Sequence, residues 1–271
     1  MTALKFSRKN LGIPYALFLL VFVIMPLLLI LYYAFTDQNG AFTLNNFKNF
    51  FTNTTTLTVL IRSFGIAILT TAICLILGYP VAYILARSNL PKKGVLLMLF
   101  IMPMWINFVL RTAAMKELLF ALGMYKTGEL NYLNTVIGMV YDYLPVTILP
   151  LYTVLLKLDK NVLEASADLG AKPVQTFVKT TLPLSMPGII SAVTMVFLPS
   201  TTSYVISDTL GNSKVTIIGK LIENKFNAGT PDSWNAGSAM AVILLILIFV
   251  TMLISGKFGN ENEQAKGNGL W

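Results

Sequence analysis

Residues 241–254 read AVILLILIFVTMLI, an uncharged run whose one polar side chain is Thr251. A strand of a membrane barrel crosses in about 10 residues that alternate apolar and polar, so this run is no such strand. Extended to 236–255, it reaches the roughly 20 mainly apolar residues that a helix needs to cross hydrocarbon. Five more segments meet the same requirement, at 11–35, 57–86, 94–113, 134–157 and 187–207. The pattern predicts an all-α integral membrane protein with six transmembrane helices. One transmembrane domain would fill 1–256, and 257–271 would form a polar tail rich in Gly and Asn, with no second domain and no internal repeat.

Composition agrees. Of 271 residues, 55% are hydrophobic and 12% charged, against about 25% charged in a soluble domain. The formal charge of +8 comes from basic residues scattered between apolar blocks. They form no patch with interleaved aromatics, so the expected partner is a lipid bilayer and not nucleic acid. The chain has no histidine, and its single cysteine, Cys74, lies in an apolar run. Ser-His and Cys-His pairs, HExxH zinc sites and intrachain disulfides are therefore excluded, and no catalytic residue or metal ligand is expected.

The loops carry their basic residues unevenly. With both termini inside, the inner side holds Lys5, Arg8, Lys9, Arg87, Lys92, Lys93, Lys157, Lys160, Lys172, Lys179, Lys257 and Lys266. The outer side holds the other eight, Lys48, Arg62, Arg111, Lys116, Lys126, Lys214, Lys220 and Lys225. This bias predicts cytoplasmic termini. The first run is too long for a signal-peptide core and is read as an uncleaved span. Pro26, Pro80, Pro103, Pro145, Pro150 and Pro199 fall within spans and predict kinks, which suit a bundle around a cavity.

The longest inner loop reads LDKNVLEASADLGAKPVQTFVKTTLPLSMPGII from Leu158. Asn161 is placed to cap a short helix with Glu164 at its third position. Val162, Ala165 and Leu169 give it one apolar face, and Gly170 ends it. Pro173, Pro183 and Pro187 then lead into the next span. The element reads as a docking helix outside the membrane.

These residues resemble a known family. Glu164-Ala165-Ser166, Gly170 six residues after the Glu, and Leu182-Pro183 match the EAA loop of ABC-importer permease subunits, in which EAA, three residues, G, nine residues and I-x-L-P follow in order. Every spacing is kept in the loop 159–186. Ser166 stands at the third EAA position and Thr180 at the usual isoleucine. GYPVAYILAR (78–87), MPMWINFVLR (102–111), LPLYTVLLKLDKNVLEASADLGA (149–171) and the run from Leu182 to Asp208 are similar to the spermidine/putrescine permeases, the B-type more than the C-type.

The resemblance implies a type I ABC importer permease fold with a cytoplasmic coupling helix, in the bacterial inner membrane. It implies two copies of a cytoplasmic ATPase, a second homologous permease subunit and an extracytoplasmic polyamine-binding protein as partners. The chain has no G-x-x-x-x-G-K-[ST] and would bind no cofactor, so ATP and magnesium would sit on the ATPase. ATPase coupling would fall to Glu164, Ala165, Ser166, Asp168, Leu169 and Gly170. Glu164 is as well suited to simple capping.

A polyamine path would use ionisable and aromatic residues within spans. Asp142 is the one acidic residue well inside a predicted span and stands between Tyr141 and Tyr143. It suits a polyammonium ion and equally a structural pair with Arg62 or Arg111. Ser200, Tyr204 and Asp208 recur every four residues, and Asp208 would close the fifth span at its outer mouth or be a solvated carboxylate. Trp105 and Asn107 follow Pro103, Trp105 as a cation platform or an interfacial packing residue. Glu117 and Glu223 read as outer-surface residues. Arg111 and the lysines at 214–225 leave open another solute, an organophosphonate or oxyanion. An intramembrane protease would need a histidine or a G-x-G-D motif, and the sequence has neither.

Overall fold

Proline and asparagine decide where the apolar runs stop being regular helices. The computed structural model describes residues 12–88, 91–125 and 130–267, with side chains as far as Gly256. Helix α1 spans Gly12–Ala34 and widens into a π-helical stretch at Leu20–Ile24. Pro26 stands two residues beyond it. It has no N–H for the carbonyl four residues back, and the wider turn makes room for its ring. None of the most apolar window of α1 is buried within the chain, and its packing is confined to the end near Ala34.

The short amphipathic α2 (Asn45–Thr52) follows an antiparallel bridge between Thr36 and Phe42. Asn46 Nδ2 donates to the carbonyls of Ala34 (3.1 Å) and Thr36 (2.9 Å), closing the open C-terminal end of α1. Helix α3 (Thr54–Arg87) is 34 residues long and carries Pro80 inside it.

The predicted third span, 94–113, is not one straight helix. Helix α4 (Lys93–Trp105) ends in a 3-10 turn containing Pro103. Helix α5 (Phe108–Ala121) leaves at 95° to it. Asn107 starts α5, its side chain accepting from Val109 N (2.9 Å) and Leu110 N (3.4 Å). An N-cap needs a non-helical backbone, and Asn107 has ψ 129°. Helix α6 (Asn131–Lys157) contains Pro145 and Pro150.

Helix α7 (Lys160–Asp168) is the loop helix. Helix α8 (Pro173–Leu184) has a π-helical stretch ahead of Pro183 and meets α9 (Met186–Thr202) at a 64° bend. Then come α10 (Tyr204–Leu210), α11 (Ile218–Asn227) and α12 (Pro231–Gly267). Helix α12 continues beyond 255, where the apolar run ends. The six predicted spans thus correspond to four helices long enough to cross a membrane and two bent pairs, each a broken span or a re-entrant segment.

Two compact units form, Met1–Leu57 with Leu221–Leu247 and Thr58–Lys220 with Ile248–Trp271. The first has a small core of Ala34, Ala239 and Val242, packed by Phe35 and Phe47. Trp234 Nε1 donates to Phe226 O at 3.1 Å, and Tyr33 meets the Trp234 ring edge-on.

In the second unit α6 is the spine. Val136 and Met139 pack with Ile66, Leu119, Ile206, Leu210 and Ile217, while Ile148, Leu151 and Leu155 pack with Tyr79, Ala82 and Ala192. Gly188 of α9 lies so near α6 that a Cβ there would stand 3.0 Å from Val154 Cβ and 3.3 Å from Pro150 O. Small residues permit such close helix approach in membranes. The buried Ser63 hydroxyl of α3 accepts from Ile218 N at 2.7 Å.

Candidate functional site

The loop helix is built by its two caps. Its N-cap is Asp159, whose carboxylate accepts from Asn161 N at 3.0 Å. The sequence reading placed the cap at Asn161, two residues later. Asp159 wins because its extended backbone (ψ 130°) turns its side chain onto the open N–H groups of the first turn. Glu164 therefore lies in the helix body, not at the third position of a capping box, and points outward without an ion pair among the described residues.

The other end is a Schellman motif. Gly170 has φ +83°, its N–H bonds Ala167 O (2.8 Å), and Ala171 N bonds Ser166 O (3.2 Å). A side chain at Gly170 would meet this left-handed backbone at a cost of about 1–2 kcal/mol.

Between the caps, Leu163 and Ser166 are half-buried, while Val162, Glu164, Ala165, Asp168 and Leu169 are exposed. Leu169 is 89% exposed, and Val174 just beyond it 72%. The predicted apolar face is the outward one. Ser166 Oγ lies 3.2 Å from Thr176 Oγ1 and accepts from Thr180 Oγ1 at 3.4 Å, tying α7 to α8. Phe177 of α8 is clamped edge-on between Tyr79 and Tyr83 of α3. Tyr79 and Ser185 share a hydrogen bond of 2.8 Å at the α8–α9 bend.

A second cluster forms at Asp142. Its carboxylate Oδ1 lies 2.5 Å from Arg111 Nε, and both side chains are buried. Thr112 Oγ1 donates to Oδ2 at 3.4 Å, and Arg111 Nη1 donates to Pro103 O at 3.0 Å. The guanidinium also stands 5.7 Å from the centre of the Tyr141 ring. Arg111 thus neutralises Asp142 and satisfies a carbonyl exposed by the α4–α5 break. Of the two basic partners open to Asp142 in the sequence, Arg62 is exposed and Arg111 makes the pair. Trp105 is 79% exposed beside the break, and Tyr143 is half-buried against the cluster that holds Val136 and Met139.

The third cluster lies at the far end of α9 from the loop helix. Ser203, with ψ 67°, separates α9 from α10 and interrupts the four-residue spacing. Ser200 is fully buried, its hydroxyl donating to Phe197 O at 3.0 Å. Tyr204 and Asp208 instead hold Lys220, whose Nζ lies 3.4 Å from Asp208 Oδ2 and 5.4 Å from the Tyr204 ring centre.

Sequence reasoning missed Asp159, the hydroxyls of Thr176 and Thr180, the Tyr79–Ser185 bond and Lys220. The first was legible as an Asp one residue ahead of the helix. Lys220 carried no periodic signal.

Comparisons with known proteins bear on this arrangement. Residues 75–259 match the family described as binding-protein-dependent transport system inner membrane component. The spermidine/putrescine transport system permease protein PotB of Haemophilus influenzae is 34% identical over 92% of this chain and 93% of its own length. That of Escherichia coli is 34% identical over 87% and 92%, and the PotB homolog of Mycoplasma genitalium 27% identical over 86% and 85%.

Among solved structures, a bacterial ABC transporter involved in the import of the acidic polysaccharide alginate matches with TM-score 0.70 at 14% identity, over 93% of this chain and 94% of that one. The alginate transporter in complex with an alginate pentasaccharide-bound periplasmic protein gives 0.71 at 13%, over 91% of each chain. That likeness is one of fold, an all-helical ABC-importer permease fold. With its bent helices, its outward loop helix and a family match over most of its length, the chain belongs to the inner membrane components of binding-protein-dependent transport systems.

Proposed function

We propose that the chain is the B-type permease subunit of an ATP-driven importer that carries spermidine or putrescine into the cytoplasm by alternating access. The observation that carries this reading is the 34% identity to a spermidine/putrescine permease over 92% of the chain. In this reading α7 seats in a cleft of the cytoplasmic ATPase. Leu169 and Val162 supply apolar contact and Glu164 the charged one. ATP and magnesium stay on the ATPase, of which two copies work with this chain and a second permease subunit. An external binding protein delivers the substrate on the opposite side, and both termini are cytoplasmic.

The alternative of an anionic solute loses its main support, because Arg111 is occupied by Asp142. Asp142 is likewise neutralised, so the cation path is assigned first to Tyr204 and Asp208. Trp105, Asn107, Tyr141, Tyr143 and Ser200 remain assigned to its walls.

The test is uptake by the reconstituted four-component complex in liposomes. ATP-dependent accumulation of labelled spermidine or putrescine is expected. Accumulation of an organophosphonate with no polyamine uptake overturns the reading.

A further inference from the structure

Lys220 already presents to this site the chemical group that a polyamine would bring. Its ammonium stands beside the Asp208 carboxylate and the Tyr204 ring, the two kinds of group that attract an alkylammonium ion. The terminal –CH2–NH3+ of lysine is the same unit that ends a linear diamine or triamine. The backbone beneath it is fixed. Ile217 and Ile218 are fully buried, Ile218 N is bonded to Ser63 Oγ, and Gly219 lies so tightly on the Thr202 carbonyl that a Cβ there would collide with it. The Lys220 and Asp208 side chains are 26% and 38% exposed, so the ammonium is the part that can move and be replaced.

We infer that Tyr204 and Asp208 form an alkylammonium subsite, and that Lys220 is its tethered occupant, displaced by one end of an incoming polyamine. The inference rests on the polyamine reading above and adds to it a residue that sets affinity. A tethered group competes with free ligand through its effective concentration. A half-exposed ion pair is worth only about a factor of two to five in an equilibrium, so a ligand with a second ammonium displaces it easily. No bond is made or broken; one ammonium replaces another, and the charge of the site is unchanged.

The competing account is a surface ion pair that only steadies α10 against α11. The experiment that separates them is equilibrium binding of labelled putrescine and spermidine to the complete complex in lipid nanodiscs, without the external binding protein. Lys220→Met is expected to bind both roughly two- to fivefold tighter than wild type, with assembly unchanged. Lys220→Arg keeps a tethered cation and is expected to bind as wild type. Adding Asp208→Asn to Lys220→Met is expected to remove the gain. Lys220→Gln carries the same expectation as Lys220→Met if the apolar variant assembles poorly. Unchanged affinity in the neutral variants, or a gain that survives Asp208→Asn, overturns the inference while polyamine uptake by wild type stands. Uptake of another solute and no polyamine by wild type removes the polyamine reading itself, and this inference with it.

Discussion

Thr180 donates a hydrogen bond to Ser166 at 3.4 Å, and these are the two positions at which the loop departs from the EAA pattern. Where relatives of that pattern place an alanine and an isoleucine, this chain places two hydroxyls that find each other, with Thr176 as a third. The joint between α7 and α8 is therefore polar at these positions.

This pair predicts a non-additive mutant cycle. Ser166→Ala leaves the half-buried hydroxyls of Thr176 and Thr180 without this partner, at a cost of about 1 kcal/mol, whereas Thr180→Ile costs less because Ser166 keeps Thr176. The double variant is expected to lose less than the sum of the two single losses, because the bond between positions 166 and 180 is lost only once. Thermal unfolding of the complex measures this; strictly additive losses would refute the pairing.

Glu164→Ala is expected to leave the complex assembled but to lower substrate-stimulated ATP hydrolysis and uptake together. Glu164 is exposed, and the helix is capped by Asp159 instead, so little stability is at stake. Unchanged stimulation would remove Glu164 from the coupling contact.

Gly170→Ala is expected to destabilise the end of α7 by about 1–2 kcal/mol, because φ +83° is left-handed backbone. Gly170→Asn is expected to cost less, since asparagine tolerates that region. Hydrogen exchange across residues 160–176 reads the difference, and equal protection in both variants would contradict the motif.

Arg111→Met and Asp142→Asn are each expected to lower the assembled fraction sharply, since breaking a buried pair costs about 3–5 kcal/mol. The double variant is expected to recover much of that loss. Assembly yield in detergent checks this. Tolerance of the single Arg111→Met change would deny that the pair holds the α4–α5 break.

The apolar lengths were legible because a membrane helix is written in run length and composition. The loop was legible because a glycine at a fixed distance from a helix start has a backbone reason to be there. The break at Asn107 was not, although its signs were present. Pro103 and Asn107 lie inside an apolar run, where they were read as kink and pathway residues, while an asparagine between two apolar helices also makes an N-cap. The start of α7 slipped by two residues because two capping residues, Asp159 and Asn161, stand together. Contacts such as Lys220 with Asp208 depend on how α10 and α11 fold back, which no helical period records. The π-helical stretches at Leu20–Ile24 and Phe177–Thr181 followed from proline positions only once the backbone was known.

Helix α3 touches both ends of this machinery. Tyr79 is bonded to Ser185 at the bend that follows the loop, and Ser63 is bonded to Ile218, two residues before Lys220. Along a helix these two contacts are about 24 Å apart. One element thus ties the bend that follows the loop to the backbone that carries Lys220.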